Sequence, residues 1–126
     1  MRYLLDTTVL IDQARGSAGA PELVASLFSD PNDLLTCDIV VAEALSGGTD
    51  REIEIVRSLV RSVEYVATHP DAAAWAGDAR RRLGRTSPRG LGDAIIAGVA
   101  GLSDAVIVTR NPRDFEVFGV RVLAYG

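Results

Sequence analysis

Four acidic residues of this 126-residue chain stand in apolar stretches, where a carboxylate needs a partner. Asp6 follows the apolar run YLL, Glu43 lies in VVAEALSG, Asp93 in LGDAIIAGVAG and Asp114 in VTRNPRDF. A bare buried charge is very costly, so such an acid is paired, hydrogen-bonded or bound to a metal ion. Each acid alone is most simply a helix cap or a structural hydrogen-bond acceptor. Whether the four act together depends on the elements that carry them.

Short apolar strands alternate with helices along the whole chain. The pattern predicts strands at residues 2–5, 34–37, 63–67, 105–108 and 120–123. Between them it predicts helices capped by Asp38 and Asp50, and others at 9–14, 22–28, 70–83 and 91–102, with a short one beginning in TRNPRDF. This alternation is typical of one α/β domain, residues 1–126, whose parallel sheet is covered by helices on both faces.

The predicted sheet gathers the four acids at one edge. The carboxyl ends of parallel strands and the N-termini of the following helices share that edge, where open α/β sheets bind their ligands. Carboxylates crowded there repel one another, and a hard divalent cation relieves the repulsion. Mg²⁺ or Mn²⁺ ions about 4 Å apart can hold a phosphodiester and activate a water molecule. The four acids together therefore predict a metal-dependent site for phosphodiester chemistry.

The composition excludes several other kinds of site. The chain has a net charge of −4, thirteen basic residues that are all arginine, one histidine and one cysteine. A single cysteine, Cys37, allows neither an internal disulfide nor a cysteine-rich zinc site, and we expect it to be a small buried hydrophobe. His69 alone leaves no histidine pair for RNA cleavage. The lack of lysine excludes a P-loop, response-regulator receivers and haloacid-dehalogenase-type phosphatases, which all rely on one.

Arginine residues are concentrated in two places near the predicted edge. The segment RRRLGRTSPRG holds five, and Arg110 and Arg113 flank the fourth acid. Such a block is either a solvated helix face or a set of bidentate phosphate contacts, and the sequence alone leaves both open. The candidate phosphate-binding residues are Arg80, Arg81, Arg82, Arg85, Arg89, Arg110 and Arg113.

With these motifs in view, the chain resembles the PIN-domain ribonucleases of the VapC toxin type from end to end. LLDTTVLID resembles the family's opening Asp-Thr/Ser motif and VVAEALSG its helix with the second acid. GDAIIAGVA and VTRNPRDF resemble the third and fourth motifs. Each motif is short and weakly specific. Four in the right order and at familiar spacing are far more specific.

The resemblance implies an α/β/α sandwich and a Mg²⁺- or Mn²⁺-dependent endoribonuclease that cleaves structured RNA, such as transfer RNA or a ribosomal RNA loop. It implies a homodimer in the cytoplasm, inhibited by a cognate VapB-type antitoxin. The acidic site would be formed by Asp6, Glu43, Asp93 and Asp114. Supporting groups would be Thr7, Thr109 and Asn111.

Two other functions remain open from the sequence. One is a PIN-type nuclease of RNA processing or of DNA flaps that has no antitoxin. The other is a binding module that keeps the fold without the chemistry, although the full set of four acids weighs against it. The alanine-rich segment around Trp75 marks either a dimer interface or ordinary core packing. No apolar run approaches the roughly 20 residues that span a bilayer.

Overall fold

The computed structural model describes all of residues 1–126 and is built on a sheet of five parallel strands. Their order across the sheet is β3-β2-β1-β4-β5. The register pairs Leu4 with Leu35 on one side of β1 and with Ile107 on the other. The bounds are β1 Arg2–Leu5, β2 Asp33–Cys37, β3 Glu64–Val66, β4 Val106–Thr109 and β5 Val122–Ala124.

Seven helices connect the strands and cover both faces of the sheet. The chain moves outward from β1 to β3 and then returns past β1 to β4, so right-handed crossovers place the early and late helices on opposite faces. The predicted α/β/α sandwich is confirmed. The bounds are α1 Thr7–Arg15, α2 Ala20–Ser29, α3 Asp38–Ala44, α4 Asp50–Arg61, α5 Pro70–Arg82, α6 Leu91–Leu102 and α7 Arg113–Glu116. None of them combines the length and the hydropathy that a bilayer-spanning segment needs.

The core is one continuous apolar cluster on both sides of the central strands. All four residues of β4 are buried, and Leu4, Leu5 and Ile107 have no exposed surface. Burial on both faces explains why the central strands are apolar runs rather than alternating sequences. Cys37 belongs to this core, as predicted, and burial raises the pKa of its thiol to about 11.

Two predicted caps are wrong, and the observed contacts give the reason. Helix α4 is capped by Thr49, whose side chain accepts from the Glu52 N–H while the Glu52 carboxylate accepts from the Thr49 N–H. This reciprocal box satisfies two backbone donors, more than Asp50 alone would. Asp38 lies inside α3, where its carboxylate accepts from the hydroxyl and N–H of Thr68 at 2.7 and 3.1 Å. It therefore ties the segment after β3 to α3.

The remaining differences from the predicted elements are small. The last strand begins at Val122, two residues later than predicted. The one histidine, His69, is the N-cap of α5, and its Nδ1 accepts from the Asp71 N–H at 3.0 Å. Trp75 packs against the core, with its ring centroid 6.3 Å from that of Phe118. Within the chain, the core-packing interpretation of Trp75 is the one observed.

Candidate active site

The site lies where the strand order reverses direction, beyond the carboxyl ends of β1 and β4. The chain leaves β1 toward β2 and leaves β4 toward β5, in opposite directions across the sheet, which opens a crevice between β1 and β4. Asp6 is the residue after β1, and Thr109 is the last residue of β4. The register that pairs Leu5 with Val108 brings these two side chains together across the crevice.

Asp6 is a buried carboxylate held by hydroxyl groups. It is only 4% exposed, and its Oδ2 accepts from the hydroxyls of Thr109 at 2.8 Å and Thr8 at 3.3 Å. It occupies the N-cap position of α1 without making a side-chain capping bond. Burial raises its pKa; the hydrogen bonds from Thr109, Thr7 and Thr8 oppose that rise, and the nearby Glu43 charge adds to it. No side chain donates to Oδ1, which leaves that atom free for a cation.

Glu43 reaches the same crevice from the last turn of α3. Because α3 is only seven residues long, the carboxylate still lies at the edge of the sheet. Its Oε1 accepts from the Thr7 hydroxyl at 2.9 Å. A Cβ at Gly92 would lie 3.4 Å from its Oε2, so glycine there leaves room for the Glu43 side chain.

Asp93 lies in the first turn of α6 and has the most perturbed carboxyl of the four. Burial first, and then the charges of Asp114, Asp6 and Glu43, raise its pKa to about 7, against a small opposing effect of Arg85. A helix N-terminus normally favours the charged form of a carboxyl group. Here burial and the neighbouring charges outweigh that effect. The electrostatic coupling shows that all four predicted acids lie near one another. Asp114, in α7, is exposed at the rim.

The donor set suits a hard divalent cation, although it does not form a closed cage. No group of three or more Asp, Glu, His and Cys side chains is arranged to hold an ion. Mg²⁺ keeps several of its waters and commonly binds through only one or two carboxylates. An open set of oxygen donors, with no side chain donating to Asp6 Oδ1, matches that preference. The residues at hand therefore suit Mg²⁺ or Mn²⁺.

Arg80 and Arg110 have their guanidinium groups engaged within the chain. Arg80 Nη2 donates to the carbonyls of Ser87 and Arg89 and so holds the loop between α5 and α6. Arg110 Nε donates to Asp12 at 2.7 Å. These two side chains are thus committed to internal contacts, whatever else they touch.

The other candidate arginines face solvent. Arg85 and Arg89 line a polar cleft of about 500 Å³ together with Asp93 and Asp114. Arg113 lines a second hollow, of about 540 Å³, together with Arg110 and Asp114. The exposed residues Arg81 and Arg82 end α5. Positive side chains therefore border the acidic crevice.

Three residues of the site region were not predicted from the sequence. Thr8 donates to Asp6, the buried Asp12 binds Arg110, and the hydroxyl of Tyr125 donates to Asp12 at 2.8 Å. Asp12 resembles a residue of a solvated helix face, but it lies three residues after the buried Val9 and so on the same side of α1. That spacing is the one signal in the sequence for its burial.

The supporting groups suggested by the resemblance lie at the crevice. Thr7 bonds to Glu43 and Thr109 to Asp6, as described above. The backbone N–H of Asn111 donates to the Thr109 hydroxyl at 3.0 Å, while its own side chain is exposed. A direct role of the Asn111 side chain stays a prediction.

Comparisons with known proteins agree with this geometry. The family model of the PIN domain matches residues 3–120. Ribonuclease VapC19 of Mycobacterium tuberculosis is 32% identical over 117 residues, covering 91% of this chain and 93% of the relative. The tRNA(fMet)-specific endonuclease VapC of Salmonella typhimurium is 28% identical, covering 97% and 96%. A chain from a toxin–antitoxin complex of Klebsiella pneumoniae superposes with a TM-score of 0.71 at 25% identity, covering 90% and 89%.

The family match spans nearly the whole sheet and all four acids, and the similarity to VapC19 extends over most of both proteins. The chain therefore belongs to the PIN-domain family, among its VapC ribonucleases.

Proposed function

We propose that this protein is a Mg²⁺- or Mn²⁺-dependent endoribonuclease toxin, with Asp6, Glu43, Asp93 and Asp114 as the metal-binding acids. The observation that carries the proposal is the convergence of these four carboxylates, where burial first and then the charges of the other three acids raise the pKa of Asp93 to about 7. Like charges held close together repel one another and destabilise the fold unless a bound cation offsets the repulsion. The ribonuclease names of the relatives support the same reaction class.

The chain's own residues account for much of the site's chemistry. When bound, a divalent cation would activate a water molecule and stabilise the charge on the phosphodiester oxygens. Thr109 and Thr8 fix the orientation of Asp6 by donating to Oδ2, and no side chain donates to its Oδ1. Thr7 fixes Glu43 in the same way. Asp93 is partly exposed and Asp114 is exposed, so an RNA strand can reach these acids from the rim of the crevice.

Structured RNA is the proposed substrate, and the exposed arginines are its proposed phosphate contacts. Arg85 and Arg89 lie in the same polar cleft as Asp93 and Asp114, so a strand in that cleft would meet guanidinium groups near the acids. Arg81, Arg82 and Arg113 are placed to continue this contact. A transfer RNA and a ribosomal RNA loop are both compatible with this surface. Recognition of such RNAs depends on shape and unpaired bases.

A VapB-type antitoxin is the proposed inhibitory partner. The similarity to a chain of the Klebsiella pneumoniae toxin–antitoxin complex supports such a partner. We further propose that the toxin is a homodimer and acts in the cytoplasm, where its RNA substrates are.

The deciding experiment compares two neutral isosteres with a matched control. Asp6→Asn and Asp93→Asn each remove one charge from the crevice, and we expect cleavage of total RNA in Mg²⁺ or Mn²⁺ to fall by at least about a hundredfold. Asp78→Asn, an exposed position on α5, should cleave like the wild type. Circular dichroism must show that all three variants are folded. Wild-type protein that cleaves no RNA with either metal would instead favour a binding module.

A further inference from the structure

Asp12 is a buried acid outside the four-carboxylate crevice, and side chains from three parts of the chain donate to it. It is 3% exposed. Its Oδ2 accepts from Arg110 Nε at 2.7 Å and from the Tyr125 hydroxyl at 2.8 Å, and its Oδ1 accepts from the Ser17 hydroxyl at 3.3 Å. These bonds fasten α1 to the segments that follow β4 and β5. A buried carboxylate with a charged donor and two hydroxyl donors is a rigid anchor.

The residue that Asp12 anchors is joined through its backbone to the shell of Asp6. The N–H of Arg110 donates to the Thr8 hydroxyl oxygen at 3.0 Å, and the N–H of Asn111 donates to that of Thr109 at 3.0 Å. A hydroxyl has one proton, so an oxygen that accepts from the backbone keeps its own O–H for another acceptor. Asp6 Oδ2 is within reach of both O–H groups, at 3.3 Å from Thr8 and 2.8 Å from Thr109, and the two hydroxyl oxygens also lie 3.4 Å from each other.

We propose that Asp12, through Arg110 and with Tyr125, is a positioning residue for the metal-binding carboxylate of Asp6. The ion pair holds the backbone after β4 where its N–H groups aim the two hydroxyls at Asp6. This inference rests on the proposed metal-dependent function. It assigns Arg110 to the metal side of the site rather than to the RNA phosphates, which separates it from the arginines that line the polar cleft.

The test measures Mn²⁺ binding to the full-length protein without RNA, by electron paramagnetic resonance. Residues that orient metal ligands typically change metal affinity by about 10- to 100-fold when mutated. We expect Asp12→Asn and Arg110→Met each to weaken Mn²⁺ binding about tenfold. The double variant should be no weaker than the worse single one, since both break the same link. Arg57→Met, an exposed arginine on α4, should bind Mn²⁺ like the wild type.

A second measurement separates positioning from phosphate contact. RNA affinity of Arg110→Met, measured without divalent metal over a salt series, should keep the wild-type slope of log affinity against log salt. A lost phosphate contact would reduce that slope by about 0.7 to 0.9. A reduced slope with unchanged Mn²⁺ affinity would show that Arg110 contacts RNA and overturn the assignment.

Tyr125→Phe is the variant least expected to disturb folding, because it removes only one hydroxyl group. We expect it to weaken Mn²⁺ binding about threefold and to rank between the wild type and Asp12→Asn. If Tyr125→Phe and Asp12→Asn lower the melting temperature but bind Mn²⁺ like the wild type, the network is structural only. Wild-type protein that binds no Mn²⁺ would overturn the metal site itself, whereas wild-type affinity in Asp12→Asn would overturn only this positioning role.

Discussion

Asp93 is the residue whose charge state is most sensitive to the conditions around it. Its pKa, raised to about 7 by burial and by three neighbouring carboxylates, lies near physiological pH. The carboxyl group therefore changes between neutral and charged forms where the protein works. The proposed binding of a metal ion by Asp93 requires the charged form, so we expect metal affinity to rise as the pH increases through 7.

The free energy of unfolding of the metal-free protein should show the opposite dependence on pH and fall as the pH rises. Below about pH 4 the Asp93 carboxyl is neutral in both the folded and the unfolded chain, and its crowding costs nothing. Between pH 4 and 7 only the unfolded chain ionises, so stability falls as the pH rises and stays lower above 7. Asp93→Asn should therefore leave the free energy of unfolding unchanged at pH 4 and raise it by about 1–2 kcal/mol at pH 8. The full shift would imply about twice that, but solvent screens this partly exposed group.

Urea unfolding in a chelator checks this prediction, with Asp78→Asn as the control at both pH values. Equal stabilisation of Asp93→Asn at pH 4 and pH 8 would show that the carboxylate crowding is not its source. Saturating Mg²⁺ should stabilise the wild type at pH 8 and have little effect on Asp93→Asn, because only the wild type retains the ligand.

The sequence predicted the acids better than it predicted the groups that hold them. Glu43, Asp93 and Asp114 were found because a charge stands out in an apolar run. Asp12 was missed because its burial depends on Arg110, which lies 98 residues away. Contacts between distant parts of a chain leave no local pattern.

Among the elements, the pair α5 and α6 supports Asp93 through an unusually close approach. Gly98 on α6 faces the backbone of α5, and a Cβ there would lie 2.7 Å from the Ala72 carbonyl oxygen and 3.2 Å from the Trp75 ring. The side chains of the buried residues Ala76 and Ala97 are small, which also allows the helices to pack closely. The position of α6 fixes the position of Asp93, so this packing also sets the site.

Gly98→Ala should push the two helices apart and cost about 1–3 kcal/mol of unfolding free energy, as overpacked cores do. Gly101→Ala is the matched control on the same helix, since nothing lies within 4 Å of a Cβ there. It should be neutral or stabilising by up to about 1 kcal/mol, because alanine favours helix over glycine. Thermal unfolding of both variants distinguishes them, and equal stability would contradict the close contact.

Element types were predictable from periodicity, and element ends were less so. The apolar strands and the long helices have strong local patterns. The start of α4 depends instead on the reciprocal bonds of Thr49 and Glu52. Their Thr-x-x-Glu spacing is a capping-box pattern that stands in the sequence, but the prediction of Asp50 as the cap overlooked it. The predicted last strand began two residues early because Val120 is also apolar but does not join the sheet.

For the molecule as a whole, the arrangement of charge matters more than its sum. The net charge is −4, yet Arg85 and Arg89 share a cleft with Asp93 and Asp114. Metal-free protein presents RNA with repulsion at the acids and attraction beside them. A bound cation reverses the sign at the acids, and the whole crevice then attracts phosphate.

Replacing both Arg85 and Arg89 by glutamine should lower the slope of log RNA affinity against log salt by about 1.4 for a single-stranded site. Replacing Arg57 and Arg61, exposed on α4, changes the net charge by the same amount away from the crevice. That control should leave the slope unchanged. If both pairs reduce the slope equally, RNA responds to total charge and not to the cleft.

The sheet order has a consequence for the synthesis of this enzyme on the ribosome. Asp6 is made early, but its donor Thr109 follows 103 residues later and Tyr125 later still. Because synthesis runs from the N-terminus, a nascent chain has no assembled catalytic crevice until residues beyond β4 have left the ribosome. A stalled chain with β4 still inside the tunnel should cleave no RNA, whereas the same chain displaced outward by a long C-terminal linker should cleave it. We therefore expect the ribosome that makes this chain to be protected from its activity until β4 has emerged.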